Sequence, residues 1–180
     1  MRMRPKLTLM SPTIRPARPQ DTAEILQMIQ ALAVYEKEPD AVRNTAEQLQ
    51  VHLFGPHPAI FAHVVDAPGP SDGRLAGFAL WFLNYSTWEG THGIYLEDLY
   101  VRAQHRGQGY GKALLQHLAS IAVARGYRRV EWSVLDWNQP SIDFYRHLGA
   151  YPMDGWHVFR LDGPALQSYG TSQDSNRPEA

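Results

Sequence analysis

The feature that most constrains this chain is a glycine-rich segment, Arg106 to Lys112, which reads Arg-Gly-Gln-Gly-Tyr-Gly-Lys. Residues 94–101 before it are apolar except for Glu97 and Asp98, which predicts a strand. After it, apolar residues recur at helical spacing from Tyr110 onward, which predicts a helix. Glycines allow close approach of the backbone to a ligand, and the unpaired N–H groups at a helix start favour an anion. The segment therefore predicts a phosphate-binding turn between a strand and a helix.

Two common phosphate motifs do not match this segment. A P-loop needs Ser or Thr after its Gly-Lys pair, whereas Ala113 follows Lys112. A dinucleotide fingerprint starting from Gly107 and Gly109 needs a third glycine at the position of Lys112. What remains is the pattern Arg-x-x-Gly-x-Gly.

The rest of the chain alternates between strand and helix patterns. The predicted elements after a first short strand are a helix at 22–36, a helix beginning at 45, strands at 60–65, 75–83 and 94–101, the helix after the glycine-rich segment, a strand at 129–135, a helix at 140–148 and strands near 150 and 158. The order β-α-α-β-β-β-α-β-α-β-β predicts a mixed sheet covered by helices, an α/β (α+β) fold. We expect one domain over 13–167, with loose segments at 1–12 and 168–180.

The composition excludes several classes of function. The chain has 180 residues and no cysteine, so it can form no disulfide, no cysteine-ligated metal site and no cysteine nucleophile. With 17 Lys and Arg against 18 Asp and Glu, it lacks the basic character of a nucleic-acid-binding protein. Its 8 histidines do not form an H-E-x-x-H frame, so we expect no metal.

The apolar runs are too short to cross a membrane. The longest, Leu75 to Leu83, is about half of the ~20 residues that a bilayer-spanning helix needs. The first residues lack the apolar stretch of a secretory signal. The sequence therefore predicts no membrane association and a cytoplasmic location.

Two motifs together resemble the GNAT superfamily of N-acetyltransferases. The first is Arg106-x-x-Gly-x-Gly, and the second is Asn138 followed by the Phe-Tyr-x-x-x-Gly pattern that contains Tyr145. The resemblance covers about Thr13 to Leu161. The segments 14–17, 32–36, 85–88 and 95–101 look like the diamine (spermidine/spermine) acetyltransferase branch, and 85–88 and 134–138 are closest to its thialysine N-ε-acetyltransferase-like members. The resemblance implies the GNAT fold, acetyl-CoA as co-substrate and a homodimer.

The resemblance also implies two catalytic residues. In such an enzyme an amine attacks the thioester of acetyl-CoA, and a lysine-like amine of pKa about 10.4 must first lose a proton at a cost of roughly 4.6 kcal/mol at pH 7. Glu97 is the candidate base, acting directly or through a water, and Tyr145 is the candidate acid for the leaving thiolate. Strict alternation places Asp98 on the opposite face from Glu97 unless the strand is bulged. Both carboxylates could instead be ordinary paired groups, and Tyr145 a core aromatic.

The cofactor and substrate sets follow from the same resemblance. Main-chain groups of one strand would bind the pantetheine arm, the glycine-rich segment the pyrophosphate, and two residues near the second motif the rest of the arm: Leu99, Tyr100, Val101; Arg106, Gly107, Gln108, Gly109, Tyr110, Gly111, Lys112; Asn138 and Ser141. Arg106 could instead be a solvated charge, and Asn138 a helix N-cap compatible with binding. Carboxylates and aromatic faces would bind the amine: Tyr35, Glu36, Trp88, Glu97, Asp98, Asp154 and Trp156.

The substrate prediction depends on one difference from the branch. Polyamine-acetylating members carry Asp where this chain has Ser86, which favours a short primary amine or an amino acid such as thialysine, with spermidine second. Because the chain has no cysteine, transfer should be direct, through a ternary complex. The alternatives are a protein or peptide acetyltransferase and a non-catalytic acyl-CoA-binding module.

Overall fold

The computed structural model describes residues 12–69 and 75–171. Its sheet has the strand order β1-β2-β3-β4-β5. The strands are β1 Ile14–Pro16, β2 Phe61–Asp66, β3 Leu75–Ser86, β4 Thr91–Val101 and β5 Val130–Glu131. The first four are antiparallel neighbours, and β5 runs parallel to β4. The sheet is therefore mixed.

Five α-helices accompany this sheet in the described residues. They are α1 Thr22–Tyr35, α2 Ala46–Phe54, α3 Tyr110–Ala124, α4 Gln139–His147 and α5 Gly163–Thr171, with short 3-10 turns at Pro19–Asp21 and Ala103–His105. Local chemistry sets several helix ends. Thr45 and Gln48 form a capping box at the start of α2, as the sequence Thr-Ala-Glu-Gln predicts. Gly126, with φ of 70°, follows the end of α3.

The two faces of the sheet carry different neighbours. One face packs on α1 and α2 in a cluster of buried apolar side chains that includes Ile25, Met28, Phe78 and Leu80. The opposite face carries His63, whose ring lies 4.5 Å from that of His117 on α3. Alternation along the strands therefore assigns each side chain of β3 and β4 to the α1 and α2 side or to the α3 side.

The chain divides into two compact units after Leu135. The described residues of the first unit hold the sheet and α1 to α3, and those of the second, from Asp136, hold α4 and α5.

The predicted α/β fold with a mixed sheet is confirmed, and the corrections concern the C-terminal third. Of the strand predicted at 129–135, only Val130–Glu131 pairs with β4. The paired residues of β4, Ile94 and Tyr95, lie just before a β-bulge in that strand. The strands predicted near 150 and 158 are wrong, because 150–162 forms no regular element. Pro152 lacks a ladder donor, and Gly155 turns the chain with φ of 85°. Residues 168–171, predicted as loose, belong to α5, while 1–11 and 172–180 lie outside the described residues.

Candidate active site

A β-bulge in β4 is centred on Glu97. In the pairing with β3, Leu80 lies opposite Asp98 while the next residue, Trp81, lies opposite Leu96, so Glu97 is the extra residue. Cross-strand partners share a face. Asp98 therefore lies on the face of Leu80, toward α1 and α2, and the bulge breaks the alternation that would have separated it from Glu97.

Three carboxylates, Glu36, Glu97 and Asp98, form what we call the carboxylate cluster. Burial, and then the nearby charges of Glu97 and Glu36, together raise the pKa of Asp98 to about 6. Burial also raises the pKa of Glu36, which directly follows α1. Glu97 itself is exposed. Mutually repelling carboxylates in a partly buried place favour a cation, since a positive charge stabilises their ionised forms.

The edge of β4 beyond the bulge runs without a strand beside it. In the described part of the chain, β4 pairs with β5 only at Ile94 and Tyr95. Leu99, Tyr100 and Val101 therefore face the β5 side with no strand pairing there among residues 12–69 and 75–171. An extended ligand arm with amide groups can add to such an edge as a strand does.

The glycine-rich segment has the backbone geometry of an anion site. Gly107 and Gly109 have φ of 74° and 83°, and a Cβ built on either would meet no described atom within 4 Å. α3 begins at Tyr110, and its N-cap residue, Gly109, provides no side-chain cap. Its first N–H groups lie outside the intrahelical ladder and point outward. These features fit a phosphate or pyrophosphate group.

Arg106 links this segment to the end of α1. Its guanidinium lies over the rings of Tyr35, at 5.3 Å, and Tyr100, at 5.6 Å, and its Nε donates to the carbonyl of Val101 at 3.0 Å. Such contacts restrict a long side chain. The sequence did not predict the ring contacts, because Tyr35 and Arg106 are far apart along the chain.

Comparison with known proteins decides the family. The model of the acetyltransferase (GNAT) family matches residues 23–150. The chain belongs to the GNAT family. It is 39% identical over 161 residues to the thialysine N-epsilon-acetyltransferase of Bos taurus, covering 86% of this chain and 94% of the relative. It is 37% identical over 159 residues to the human spermidine/spermine N(1)-acetyltransferase-like protein 1, covering 85% of this chain and 23% of that longer relative.

A solved structure supports the fold of this GNAT protein. An integron cassette protein from the V. cholerae mobile metagenome superposes with a TM-score of 0.74 at 23% identity, covering 91% of this chain and 99% of that one. The predictions of the family, its branch and an N-acetyltransferase are confirmed.

The second unit holds the remaining predicted residues of the GNAT signature. Asn138 is buried and caps α4, its Oδ1 accepting from the N–H of Ser141 at 3.4 Å. Tyr145 lies on α4, with its ring 5.4 Å from that of Phe144. Asp154 and Trp156 lie in the irregular segment that follows α4 and are exposed.

The structure also reveals residues that the sequence analysis missed. Arg129 and Glu131 form an ion pair with 2.9 Å between Nε and Oε2. Their i, i+2 spacing around β5 was the available signal, since it places both side chains on one face. Trp88, a predicted substrate residue, lies in the turn between β3 and β4 and is 87% exposed.

Neither a metal cluster nor a membrane helix appears in the described structure. Within residues 12–69 and 75–171, no group of three or more His, Asp or Glu side chains is placed to hold a metal ion. No described helix is both long and apolar enough to span a bilayer.

Proposed function

We propose that this GNAT enzyme transfers an acetyl group from acetyl-CoA directly to the primary amine of a small, lysine-like molecule. The observation that carries the proposal is the bulge at Glu97. It places Asp98 on the α1 and α2 side of the sheet, where the charge of Glu36 also raises the pKa of Asp98. A protonated amine is the ligand that this charge arrangement favours. The names of the relatives, thialysine and spermidine/spermine acetyltransferases, support an amine acceptor.

Acetyl-CoA supplies the activated acetyl group and fits two parts of the first unit. The free edge of β4 at Leu99, Tyr100 and Val101 would bind the pantetheine arm, and the segment from Arg106 to Lys112 the pyrophosphate. By the family resemblance, Asn138 and Ser141 would bind the arm further along.

Two side chains move protons in the proposed reaction. Glu97 accepts the proton of the ammonium group, directly or through one water, which releases the lone pair for attack on the thioester carbonyl. Tyr145 donates its phenolic proton to the departing sulfur, and the phenolate takes the second proton of the attacking nitrogen, so that the tetrahedral intermediate collapses to the amide and CoA. Without a cysteine, the chain can form no acetyl-cysteine, which favours direct transfer with both substrates bound together.

The amine would be held by carboxylates and aromatic side chains. The proposed set is Tyr35, Glu36, Trp88, Glu97, Asp98, Asp154 and Trp156. Ser86 favours a shorter acceptor than spermidine, because it offers a hydroxyl where the polyamine enzymes carry a carboxylate. That hydroxyl accepts from the N–H of Glu89 at 3.2 Å and so serves the turn after β3.

The proposal extends to the organisation of the protein. The family model spans 23–150 and crosses the division at Leu135, which supports a single catalytic domain over 13–167. The family resemblance supports a homodimer. The need for acetyl-CoA supports a cytoplasmic location. Light scattering of the purified protein tests the dimer.

A CoA-release assay over thialysine, lysine, putrescine and spermidine tests the function. We expect turnover that requires Glu97 and Tyr145: Glu97→Gln and Tyr145→Phe should lower kcat by about 10²- to 10⁴-fold with little change in the Kd of acetyl-CoA. Asp40→Asn, an exposed carboxylate beyond α1, is the matched control and should behave as wild type. Initial-rate lines should intersect.

Three results would count against the proposal. Parallel double-reciprocal lines would contradict direct transfer. Binding of acetyl-CoA without turnover on any amine would indicate a binding module. Turnover on peptides alone would indicate a protein acetyltransferase.

A further inference from the structure

A polar cluster that takes no part in the proposed reaction lies beside β5 and the C-terminal part of β3. We define the Arg129 cluster as Asn84, Arg129 and Glu131. The Nδ2 of Asn84 donates to Oε2 of Glu131 at 2.6 Å, and Nε of Arg129 lies 2.9 Å from the same oxygen. The side chains of Arg129 and Glu131 are 34% and 32% exposed, so both are held in place yet accessible to a ligand.

Gly93 makes room for this cluster. A Cβ at Gly93 would lie 2.6 Å from Oδ1 of Asn84 and 2.7 Å from Cγ of Arg129, distances that require both side chains to move. The stem of Arg129 therefore crosses the sheet directly over Gly93. Because Gly93 pairs with Asn84, the cluster occupies a single face.

That face is the one that carries Asp98. Successive pairs along it are Leu80 with Asp98, then Phe82 with Tyr95, and Tyr95 also pairs with Glu131 across the parallel ladder. Leu80 and Phe82 are two residues apart on one strand, a separation of about 7 Å. Glu131 thus lies one row of the sheet from Asp98, and Arg129, over Gly93, lies two rows or about 14 Å from it.

An aromatic pair lies between the two polar groups. The rings of Phe82 and Tyr95 are 5.1 Å apart and both side chains are half-buried. The hydroxyl of Tyr95 is 2.8 Å from Oγ of Ser133. The row offers apolar ring surface for a short chain of methylene groups.

We propose that the Arg129 cluster binds the zwitterionic end of an α-amino acid whose side-chain amine is acetylated at the carboxylate cluster. Arg129 would bind the α-carboxylate, which suits its planar guanidinium, and Glu131 the α-ammonium group. Five bonds separate the terminal nitrogen of a lysine-like side chain from its α-carbon, a length of roughly 6 Å. With its α-carboxylate and a hydrogen bond of about 3 Å at each end, such a molecule spans about 14 Å, which matches the two rows of the sheet between Asp98 and Arg129. This inference rests on the proposed acetyl transfer.

Three acceptors distinguish the contact of Arg129 with the carboxylate from that of Glu131 with the ammonium group, without any mutation. Lysine carries both groups, cadaverine lacks the carboxylate, and 6-aminohexanoate lacks the α-ammonium group. Wild type should show the highest kcat/KM for lysine. Arg129→Gln should lower kcat/KM for lysine and for 6-aminohexanoate by about 10- to 100-fold, the worth of a charged hydrogen bond, while changing that for cadaverine less than about twofold.

Further variants make the readout specific to recognition. Glu131→Gln should lower kcat/KM for lysine and cadaverine but spare 6-aminohexanoate. Arg129→Lys should recover part of the loss, since it keeps the charge without the fork. Arg128→Gln is the matched control, because Arg128 is exposed and its side chain alternates to the other face. Thermal unfolding of each variant tests for a loss of stability.

The outcomes distinguish this inference from the proposed function. An equal loss for all three acceptors in Arg129→Gln, or a wild-type preference for cadaverine or spermidine over lysine, overturns the role of the Arg129 cluster while acetyl transfer stands. If no amine is acetylated, the proposed function falls and this inference with it.

Discussion

At the scale of residues, Asp98 has an ionised form that the proposed amine binding would stabilise. Its backbone position on the bulge places it under the influence of burial, Glu97 and Glu36, which together hold its pKa near 6. At neutral pH its ionised form is destabilised by this environment, and the proposed substrate ammonium group would remove much of that cost. Ionised Asp98 should therefore be more stable beside a cationic ligand than in the ligand-free protein.

Binding of the amine should accordingly weaken as the pH falls through about 6, because Asp98 then gains a proton and loses its charge. Asp98→Asn should bind the amine about tenfold more weakly at pH 7.5 and should lose most of this pH dependence. Calorimetry of the amine in the presence of CoA, which cannot react, measures it. Asp40→Asn should keep the wild-type profile, and a wild-type profile in Asp98→Asn would remove Asp98 from the binding site.

At the scale of elements, the glycine-rich segment and the first turn of α3 together form the proposed pyrophosphate site. Gly109 holds φ of 83° immediately before the helix, and its Cβ position is open among the described atoms. Gly109→Ala should lower the free energy of unfolding by about 1 kcal/mol, because an L side chain is strained at positive φ. It should also weaken CoA binding several-fold, since relief of the strain re-aims the first N–H groups of α3.

The other end of the same helix supplies the control for this prediction. Gly126 also has positive φ, 70°, and an open Cβ position among the described residues. Gly126→Ala should cost a similar free energy of unfolding and leave the Kd of CoA unchanged. Equal effects of the two variants on CoA binding would indicate that the turn has no direct role.

The elements that the sequence predicted well are those whose pattern is local. The apolar spacing of α1 and the glycines around α3 predicted both helices to within about two residues of Thr22–Tyr35 and Tyr110–Ala124. The bulge at Glu97 was foreseen only as a condition, because it depends on the register between β4 and β3. The contact of Arg106 with Tyr35 was missed for the same reason, since it joins segments that are distant in sequence.

At the scale of the whole molecule, two buried groups on opposite faces of the sheet oppose each other in their effect on stability. The pKa of His63 falls from 6.5 to about 4 through burial, then through the nearby charges of His117 and Arg125. Its Nδ1 accepts from Nε1 of Trp81 at 3.1 Å, which also favours the neutral ring. The pKa of Asp98 instead rises from 3.8 to about 6.

Because the two pKa shifts have opposite signs, their summed contribution to the free energy of unfolding should vary little with pH. Between pH 4 and 6.5 the unfolded chain holds more protons at His63, so that contribution to stability rises with pH. Between pH 3.8 and 6 the folded chain holds more protons at Asp98, so that contribution falls with pH. The two pKa changes, from 6.5 to about 4 and from 3.8 to about 6, are similar in size, so the two contributions should nearly cancel.

Single variants should separate the two contributions. The free energy of unfolding of Asp98→Asn, from urea titrations, should rise between pH 4 and 6.5 more steeply than that of wild type, because His63 then acts alone. That of His63→Gln should fall over the same range, and the double variant should again resemble wild type. His57→Gln, at an exposed histidine, should follow wild type throughout. Parallel profiles for the two single variants would show that burial does not shift these groups in opposite directions, and the electrostatic argument for a cation beside Asp98 would lose its basis.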